Sequence, residues 1–240
     1  MKIALIGYGK MGHEIEKIAI ERGHEISLII DVSNQADLTV ENLKGTDVAI
    51  EFTIPTSAIG NYFKCFEANV PIVSGTTGWL DKLDMVKEAM NSHNGTFFYA
   101  SNYSLGVNLF FELNKRLAKL MNHFPDYEVS MEETHHIQKL DAPSGTAITL
   151  AEGILDNLDR KKEWTLSNQR TSDALVINPI RRGFVPGIHT IRYESSDDLI
   201  TIEHEAKNRR GLALGAVIAA EFSFEKKGWL GMKDLLNICE

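Results

Sequence analysis

Short apolar runs alternate with helical stripes along the first part of the chain. KIALIG is a brief apolar run ending in glycine. MGHEIEKIAIERG then sets Met11, Ile15, Ile18 and Ala19 on one helical stripe and stops at Gly23, a C-cap residue. EISLIID and TDVAIEFT read as the next strands. TSAIGNYFKCFEAN, with Ile59, Phe63 and Phe66 at helical spacing, reads as a helix, PIVSGTTG as a strand, LDKLDMVKEAMNSH as a helix and TFFYAS as a strand. Apolar strands separated by helices predict a parallel sheet covered on both faces.

From Ser104 the pattern changes. SLGVNLFFELNKRLAKLM predicts a long helix with Val107, Phe110, Phe111, Asn114 and Leu117 along one side. YEVSMEETHH alternates like a strand, and SGTAITLAEGILDNL reads as a helix. ALVINPIRR, HTIRYES and LITIEHEA follow with little helix between them, which predicts a mostly antiparallel or mixed second sheet. GLALGAVIAAEFSFEKK is a helix again, and the chain closes on MKDLLN. No internal repeat or low-complexity segment interrupts the pattern.

The expected architecture is α/β: a Rossmann-type parallel-sheet domain over 1–104 and 209–240, plus a second, mixed α/β domain over 105–208. A last helix that returns to the first domain makes the chain cross twice, with candidate hinges at Tyr103–Leu105 and Asn208–Gly211.

The 240 residues are enough for one large or two modest cores, and 43% hydrophobic with 24% charged residues is ordinary for a globular protein. A formal net charge of -8 argues against general nucleic-acid binding, which needs a basic face. The two cysteines, Cys65 and Cys239, stand far apart; they suggest a reducing compartment, and no metal site is expected from them. The opening MKIALIGYGKMG is too short in its apolar run for a signal peptide, whose h-region takes about 7–15 residues. No stretch approaches the ~18 apolar residues of a membrane span, so a cytoplasmic location is expected.

Five stretches carry chemistry. Gly7-Tyr-Gly-Lys-Met-Gly12 follows a predicted strand and opens a predicted helix. Its glycines suit a tight turn, approach of a pyrophosphate and close helix–strand packing, with the helix N-terminus facing the phosphates. Asp31 ends the second strand, where an acid holds the ribose hydroxyls of a dinucleotide. Val32 and Ser33 follow it and no arginine is adjacent, which favours NADH, while Lys10 leaves NADPH open. Glu51-Phe-Thr-Ile-Pro55 and Gly75-Thr-Thr-Gly78 close parallel strands, at the edge where open α/β sheets bind ligands; plain turn chemistry is the alternative. Ala100-Ser-Asn-Tyr-Ser104 closes the fifth strand and offers Asn102 to a carboxamide, or Ser104 as a helix N-cap. In HHIQKLDAPSGTA, from His135, the turn at Asp141 feeds a helix whose first amides come from Ser144, Gly145 and Thr146. A helix start of this kind binds carboxylate or phosphate. Lys139 adds a point charge, and a histidine can act as a general acid near neutral pH. The alternative is a capped helix beside two idle histidines.

ETHHIQKLDAPSGTA resembles the signature of the dihydrodipicolinate reductase family, also called 4-hydroxy-tetrahydrodipicolinate reductases. The resemblance extends to the glycine loop, EFT.P, GTTG, ASNYS with the following VNLFFELN, RRG...PGIHT and GWLGMKDLL, nearly the whole chain. It implies hydride reduction of a cyclic unsaturated dicarboxylate in lysine and diaminopimelate biosynthesis, by NADH or NADPH. It casts His135 as proton donor and Lys139 as its essential companion, with His136, Ser144, Gly145 and Thr146 on the substrate carboxylates. The cofactor falls to Gly7, Gly9, Lys10, Met11, Gly12, Asp31, Phe52 and Thr53. Gly75, Thr76 and Thr77 with Ala100, Ser101, Asn102 and Tyr103 take its nicotinamide end. The resemblance also implies a homotetramer built through the second sheet. Against the family pattern the glycine loop is one residue short, Glu51 stands where many members have aspartate, and Ile188 where many have an acid. The competing expectations are a related dehydrogenase for aspartate or homoserine, which has no reason to carry HH...K.DAPSGTA, and a non-catalytic NADH sensor.

Overall fold

The computed structural model describes residues 1–166, 171–208 and 210–238. In chain order its strands and helices are β1 (Lys2–Ile6), α1 (Lys10–Glu21), β2 (Glu25–Ile30), α2 (Val40–Leu43), β3 (Val48–Glu51), α3 (Pro55–Glu67), β4 (Ile72–Ser74), α4 (Leu83–Ser92), β5 (Thr96–Tyr99), α5 (Leu105–Met121), β6 (Glu128–His135), α6 (Gly145–Leu155), β7 (Glu163–Thr165), β8 (Ala174–Arg181), β9 (Gly187–Glu194), β10 (Leu199–Ala206), α7 (Arg210–Ser223), β11 (Gly228–Leu230) and α8 (Met232–Leu235). They form two compact units, Met1–Leu105 with Arg210–Glu240, and Gly106–Arg209. Arg209, inside the hinge expected at Asn208–Gly211, and Cys239 lie outside the described residues. No described helix is long and apolar enough to cross a membrane.

The first unit is a six-stranded parallel sheet in the order β11-β5-β4-β3-β1-β2. Its strands bury both faces by simple alternation. Ile3, Leu5, Val48, Ile50, Val73 and Phe98 meet the apolar sides of α1 and α7, while Ala4, Ile6, Ala49, Ile72 and Phe97 meet α3 and α4. This is why these strands read as unbroken apolar runs.

Two stripes differ from their expected positions. On α3 the buried residues are Ala58, Asn61, Tyr62, Cys65 and Phe66, with Ile59 and Phe63 on the flank. Tyr62 turns this face inward by packing edge-on against Trp79 and Phe97, and Asn61 is buried because Gln35 and Thr53 hydrogen-bond it. On α5 the stripe runs Val107, Phe110, Asn114, Ala118 and Met121, leaving Phe111 and Leu117 partly buried. β7 and β11, three residues each, were too short to show a period. β11 completes the first sheet by pairing parallel to β5.

The second unit is a mixed sheet in the order β10-β9-β6-β8-β7. β9 runs antiparallel to both β10 and β6, and β8 parallel to β6 and β7. One face packs on α5 and α6 through Phe110, Met121, Leu150, Ile154, Val129, Met131, Leu175, Ile177, Ile191 and Tyr193. The other face carries the exposed or half-buried Ser130, Glu132, Asn178, Arg192, Thr201 and Glu203, together with half-buried Val176, Ile180 and Ile188 and buried Thr134, Ala174 and Thr190. The Rossmann-type parallel sheet and the separate mixed sheet are the expected α/β fold.

Candidate active site

In the first unit a cavity of about 220 Å³ opens where β1, β2 and β3 end, lined by Gly7, Tyr8, Gly9, Ile30, Asp31, Val32, Gln35, Phe52, Thr53, Ile54 and Ser57. The chain leaves β1 for β2 on one side and returns to β3 on the other, so this is the topological switch point of the sheet. The loop glycines divide the work. Gly7 has φ +97°, and a Cβ there would lie 2.0 Å from the Phe52 carbonyl oxygen. A Cβ on Gly12 would lie 2.4 Å from the Gly7 carbonyl oxygen, so the third glycine is set by helix packing. Gly9 meets nothing within 4 Å, leaving its face open to a phosphate. The residues present fit a bound dinucleotide.

The cavity gathers Gly7, Gly9, Asp31, Phe52 and Thr53. Lys10, Met11 and Gly12 open α1, with Lys10 exposed. Gly75 lies flat against the Phe52 ring, which a Cβ would meet at 2.1 Å. Thr76 Oγ1 accepts from the Thr53 amide at 2.8 Å. Tyr103 is buried and its hydroxyl donates to the Ser74 carbonyl at 2.7 Å. Thr77 and Ser101 are exposed, Ala100 is buried, and Asn102 Oδ1 accepts from the Ser104 amide. Tyr8 and Ile54, inside the two motifs, also line the cavity, and Gln35 and Ser57 belong to its wall without having shown a motif.

In the second unit the helix-covered face of the sheet changes chemistry at one end. β6 continues Val129 and Met131 with Glu133 and His135 on the same side. β8 continues Leu175 and Ile177 with Arg181, and β9, running the other way, precedes Ile191 with His189 and Gly187. Register brings these together: Glu133 lies opposite His189, and His135 opposite Arg181. The N-terminus of α6 reaches the same end, with Ser144 as its cap.

Glu133 is the centre. Its carboxylate accepts from Arg181 Nη2 at 3.0 Å, and both of its oxygens lie 3.1 Å from the Ser144 amide. His135 Nε2 stands 3.6 Å and His189 Nε2 3.8 Å from it, too long for hydrogen bonds but close for charge. Burial works against the Glu133 charge, but Ser144 and Arg181 outweigh it and hold the carboxyl below its usual pKa. The Glu133, His135 and His189 ligand atoms lie within 4.8 Å of one another, a spacing a metal could use. Glu133, however, already serves Arg181 and Ser144.

His135 Nδ1 is 3.0 Å from the Pro186 carbonyl, which can only accept, so the ring carries a hydrogen there. Nε2 therefore gains a proton only when the ring becomes cationic. Burial lowers the His135 pKa; Glu133 opposes this, and Lys139 and Arg181 add to the lowering. A Cβ on Gly187 would sit 2.9 Å from the His135 ring, so glycine makes room for the imidazole.

Lys139 Nζ pairs with both Asp141 oxygens at 2.8 Å. Arg181 clips the loop between them through the Lys139 and Asp141 carbonyls. Half-buried His136 accepts the Lys139 amide on its carbonyl, and its Nδ1 has no hydrogen-bond partner among the described residues. The Ser144 hydroxyl accepts from the Ala147 amide and contacts His189 Nε2, so it is engaged as a cap. The amides of Gly145 and Thr146 open α6, where helix geometry provides no intrahelical acceptor. Glu133, Arg181 and His189 did not stand out as a group in the sequence.

Family models decide what this arrangement belongs to. The N-terminal dihydrodipicolinate reductase model matches residues 1–103 and the C-terminal model residues 106–236. The chain belongs to the dihydrodipicolinate reductase family. It is 49% identical over 99% of its length to a 4-hydroxy-tetrahydrodipicolinate reductase of Christiangramia forsetii, covering 98% of that protein. Its identity to the enzyme of that name in Staphylococcus haemolyticus is 35%, over 92% of this chain and 94% of the other. A dipicolinate-bound dihydrodipicolinate reductase from a Paenisporosarcina species superposes with TM-score 0.78, 25% identity and full coverage of both chains. Membership makes the chain an oxidoreductase of lysine and diaminopimelate biosynthesis that takes its hydride from a nicotinamide dinucleotide.

Proposed function

We propose that the chain reduces 4-hydroxy-tetrahydrodipicolinate to tetrahydrodipicolinate, with His135 as proton donor and Lys139, His136, Gly145 and Thr146 as the dicarboxylate site. The observation that carries this reading is the end of the second sheet. There a histidine with one fixed nitrogen, a lysine and a helix N-terminus are grouped around a buried carboxylate. The dipicolinate of the Paenisporosarcina structure is a ligand of the same class, a ring bearing two carboxylates.

One substrate carboxylate is assigned to the Gly145 and Thr146 amides and the other to Lys139, where it replaces Asp141. The dinucleotide, held by Gly7, Gly9, Lys10, Met11, Gly12, Asp31, Phe52 and Thr53, with Gly75–Thr77 and Ala100–Tyr103 toward its nicotinamide, supplies the hydride when bound. Loss of the 4-hydroxyl as water gives a conjugated C=C–C=N system; adding hydride to it leaves negative charge, which the His135 imidazolium quenches from Nε2. Glu133 supports that cation through space, and the Pro186 carbonyl holds the ring in place.

The domain over 1–104 and 209–240 is assigned to the dinucleotide and the domain over 105–208 to substrate and to assembly as a cytoplasmic homotetramer. Val176, Ile180 and Ile188, apolar and half-buried on the sheet face away from α5 and α6, support that assembly. The test of the reaction is oxidation of NADH and NADPH with freshly generated substrate; no turnover with either would end this reading.

Two results are expected from variants. Lys139→Ala weakens dicarboxylate binding and lowers turnover together, by about tenfold in kcat/KM, because the anion loses a partner in ground and transition states alike. An unchanged KM and kcat would make Lys139 a surface lysine.

NADH is expected to serve at least as well as NADPH, because Asp31 meets the ribose and no arginine follows it. Lys10→Ala then costs NADPH about 1 kcal/mol more than NADH, read as the ratio of the two kcat/KM values. A strong NADPH preference untouched by the change would place the 2′-phosphate on other residues.

A further inference from the structure

Behind the dinucleotide cavity lies a carboxylate that the reaction does not use. Glu51 ends β3 fully buried, without a cationic partner among the described residues. Three hydroxyls converge on it instead: Ser74 Oγ at 2.6 Å, Thr76 Oγ1 at 2.9 Å and, closest, Thr53 Oγ1.

The hydrogen bonds behind these point the same way. Gln35 Nε2 donates to Asn61 Oδ1 at 3.2 Å, and Asn61 Nδ2 to Thr53 Oγ1 at 3.5 Å. Thr53 Oγ1 then donates to Glu51. On the other side the Tyr62 hydroxyl lies 2.7 Å from Ser74 Oγ, whose own proton goes to Glu51. Each donor hands its proton towards Glu51, and a carboxylate, which only accepts, can end every branch at once. Burial raises the Glu51 pKa, and the hydroxyl donors pull against that.

Two links of the chain, Gln35 and Thr53, are also walls of the cavity. Thr76, whose hydroxyl receives the Thr53 amide, ties the loop after β4 to the loop after β3. We propose that Glu51 is a positioning residue for the dinucleotide: it terminates a directed hydrogen-bond chain that fixes Thr53 and Gln35 at the cavity wall and Thr76 behind Thr53. This rests on the assignment of the cavity to NADH or NADPH. Glutamine at this position brings two donor hydrogens where three hydroxyls donate, so at least one hydroxyl must turn away and the chain loses its direction.

The test is direct NADH binding by fluorescence, without substrate, for wild type, Glu51→Gln, Glu51→Asp, Thr53→Val, Thr53→Ser and the double variant Glu51→Gln/Thr53→Val. The expected Kd rises ~10-fold or more for Glu51→Gln, the scale of a charge-assisted hydrogen bond, and less for Glu51→Asp, which keeps the charge. The KM for the dicarboxylate at saturating NADH stays at its wild-type value. Thr53→Val weakens NADH, Thr53→Ser restores it, and adding Glu51→Gln to Thr53→Val costs less than Glu51→Gln alone, because the link is already cut.

Equal losses with and without the Thr53 hydroxyl, or wild-type NADH binding in a folded Glu51→Gln, would overturn the proposal. Should Glu51→Gln fail to fold, the Thr53 pair decides: equal NADH binding by Val and Ser at that position would overturn it. A wild type that binds neither dinucleotide would overturn the cavity assignment itself.

Discussion

Replacing His135 with alanine is expected to lower kcat by ~10²–10⁴, the usual worth of a general acid, with NADH affinity unchanged. The expectation follows from the ring's surroundings. The Pro186 carbonyl fixes a hydrogen on Nδ1, so only the imidazolium has a proton on Nε2 to give. Burial lowers the pKa of that imidazolium, with Lys139 and Arg181 adding to the effect and Glu133 opposing it. Turnover should therefore fall as pH rises above a pKa lying below the ordinary imidazole value of about 6.5. The measurement is kcat/KM for the dicarboxylate against pH, in wild type and variant. The wild-type limb should vanish in His135→Ala. Wild-type turnover in the variant, or a limb that persists there, would remove His135 from the acid role.

The parallel sheet was legible because its strands are covered twice. Residues of both parities are apolar in IALI and VAI, and a run with no polar member admits few other readings. The glycine loop was legible for a steric reason: Gly7 and Gly12 stand where a Cβ would meet backbone, so the spacing itself is the constraint. β11 was illegible because a three-residue strand has no period, and only β5 beside it makes GWL a strand. The α3 stripe was misplaced because hydropathy alone does not bury an asparagine. Asn61 is inside through its bonds to Gln35 and Thr53, which only the folded loops bring beside it.

The chemical site divides in the same way. His135 and Lys139 sit in one continuous motif, HHIQKLDAPSGTA. Glu133, Arg181 and His189 come from three strands and meet only through register. A signal for them was present. In EVSMEETH, LVINPIR and GIHTIRY the core-facing parity passes from Val129 and Met131 to Glu133 and His135, from Leu175 and Ile177 to Arg181, and from Tyr193 and Ile191 to His189. Polar residues in phase with a core stripe must be satisfied by one another or by a ligand. That argument finds the positions, but which strand lies beside which is fixed only by the fold.

The same cluster should make the second unit sensitive to acid. His189 is buried, and that burial, reinforced by His135, lowers its pKa to about 4; Glu133 opposes the shift, while His204 and Lys139 add to it. The sign follows from proton counting. Unfolded, the imidazole takes its proton near pH 6.5, whereas folded His189 takes it only near pH 4. Between these values the unfolded chain binds more protons, so stability is full above the upper value and is lost as pH falls toward the lower. The loss from His189 amounts to roughly 3 kcal/mol, a large share of an ordinary domain's stability. His135, lowered in the same direction, adds to it. Glu133 acts in a lower window: its pKa is held below the usual carboxylate value, so its stabilisation is present above that usual value and is lost as pH falls from there through the depressed one. The check is denaturant unfolding at a series of pH values between 8 and 4, in wild type and in His189→Gln, whose amide can still meet the Ser144 hydroxyl. The variant should begin less stable at pH 8 and change less down to pH 4, so that the two curves converge. Parallel curves would show that His189 keeps its ordinary pKa in the fold and that the acid loss arises elsewhere.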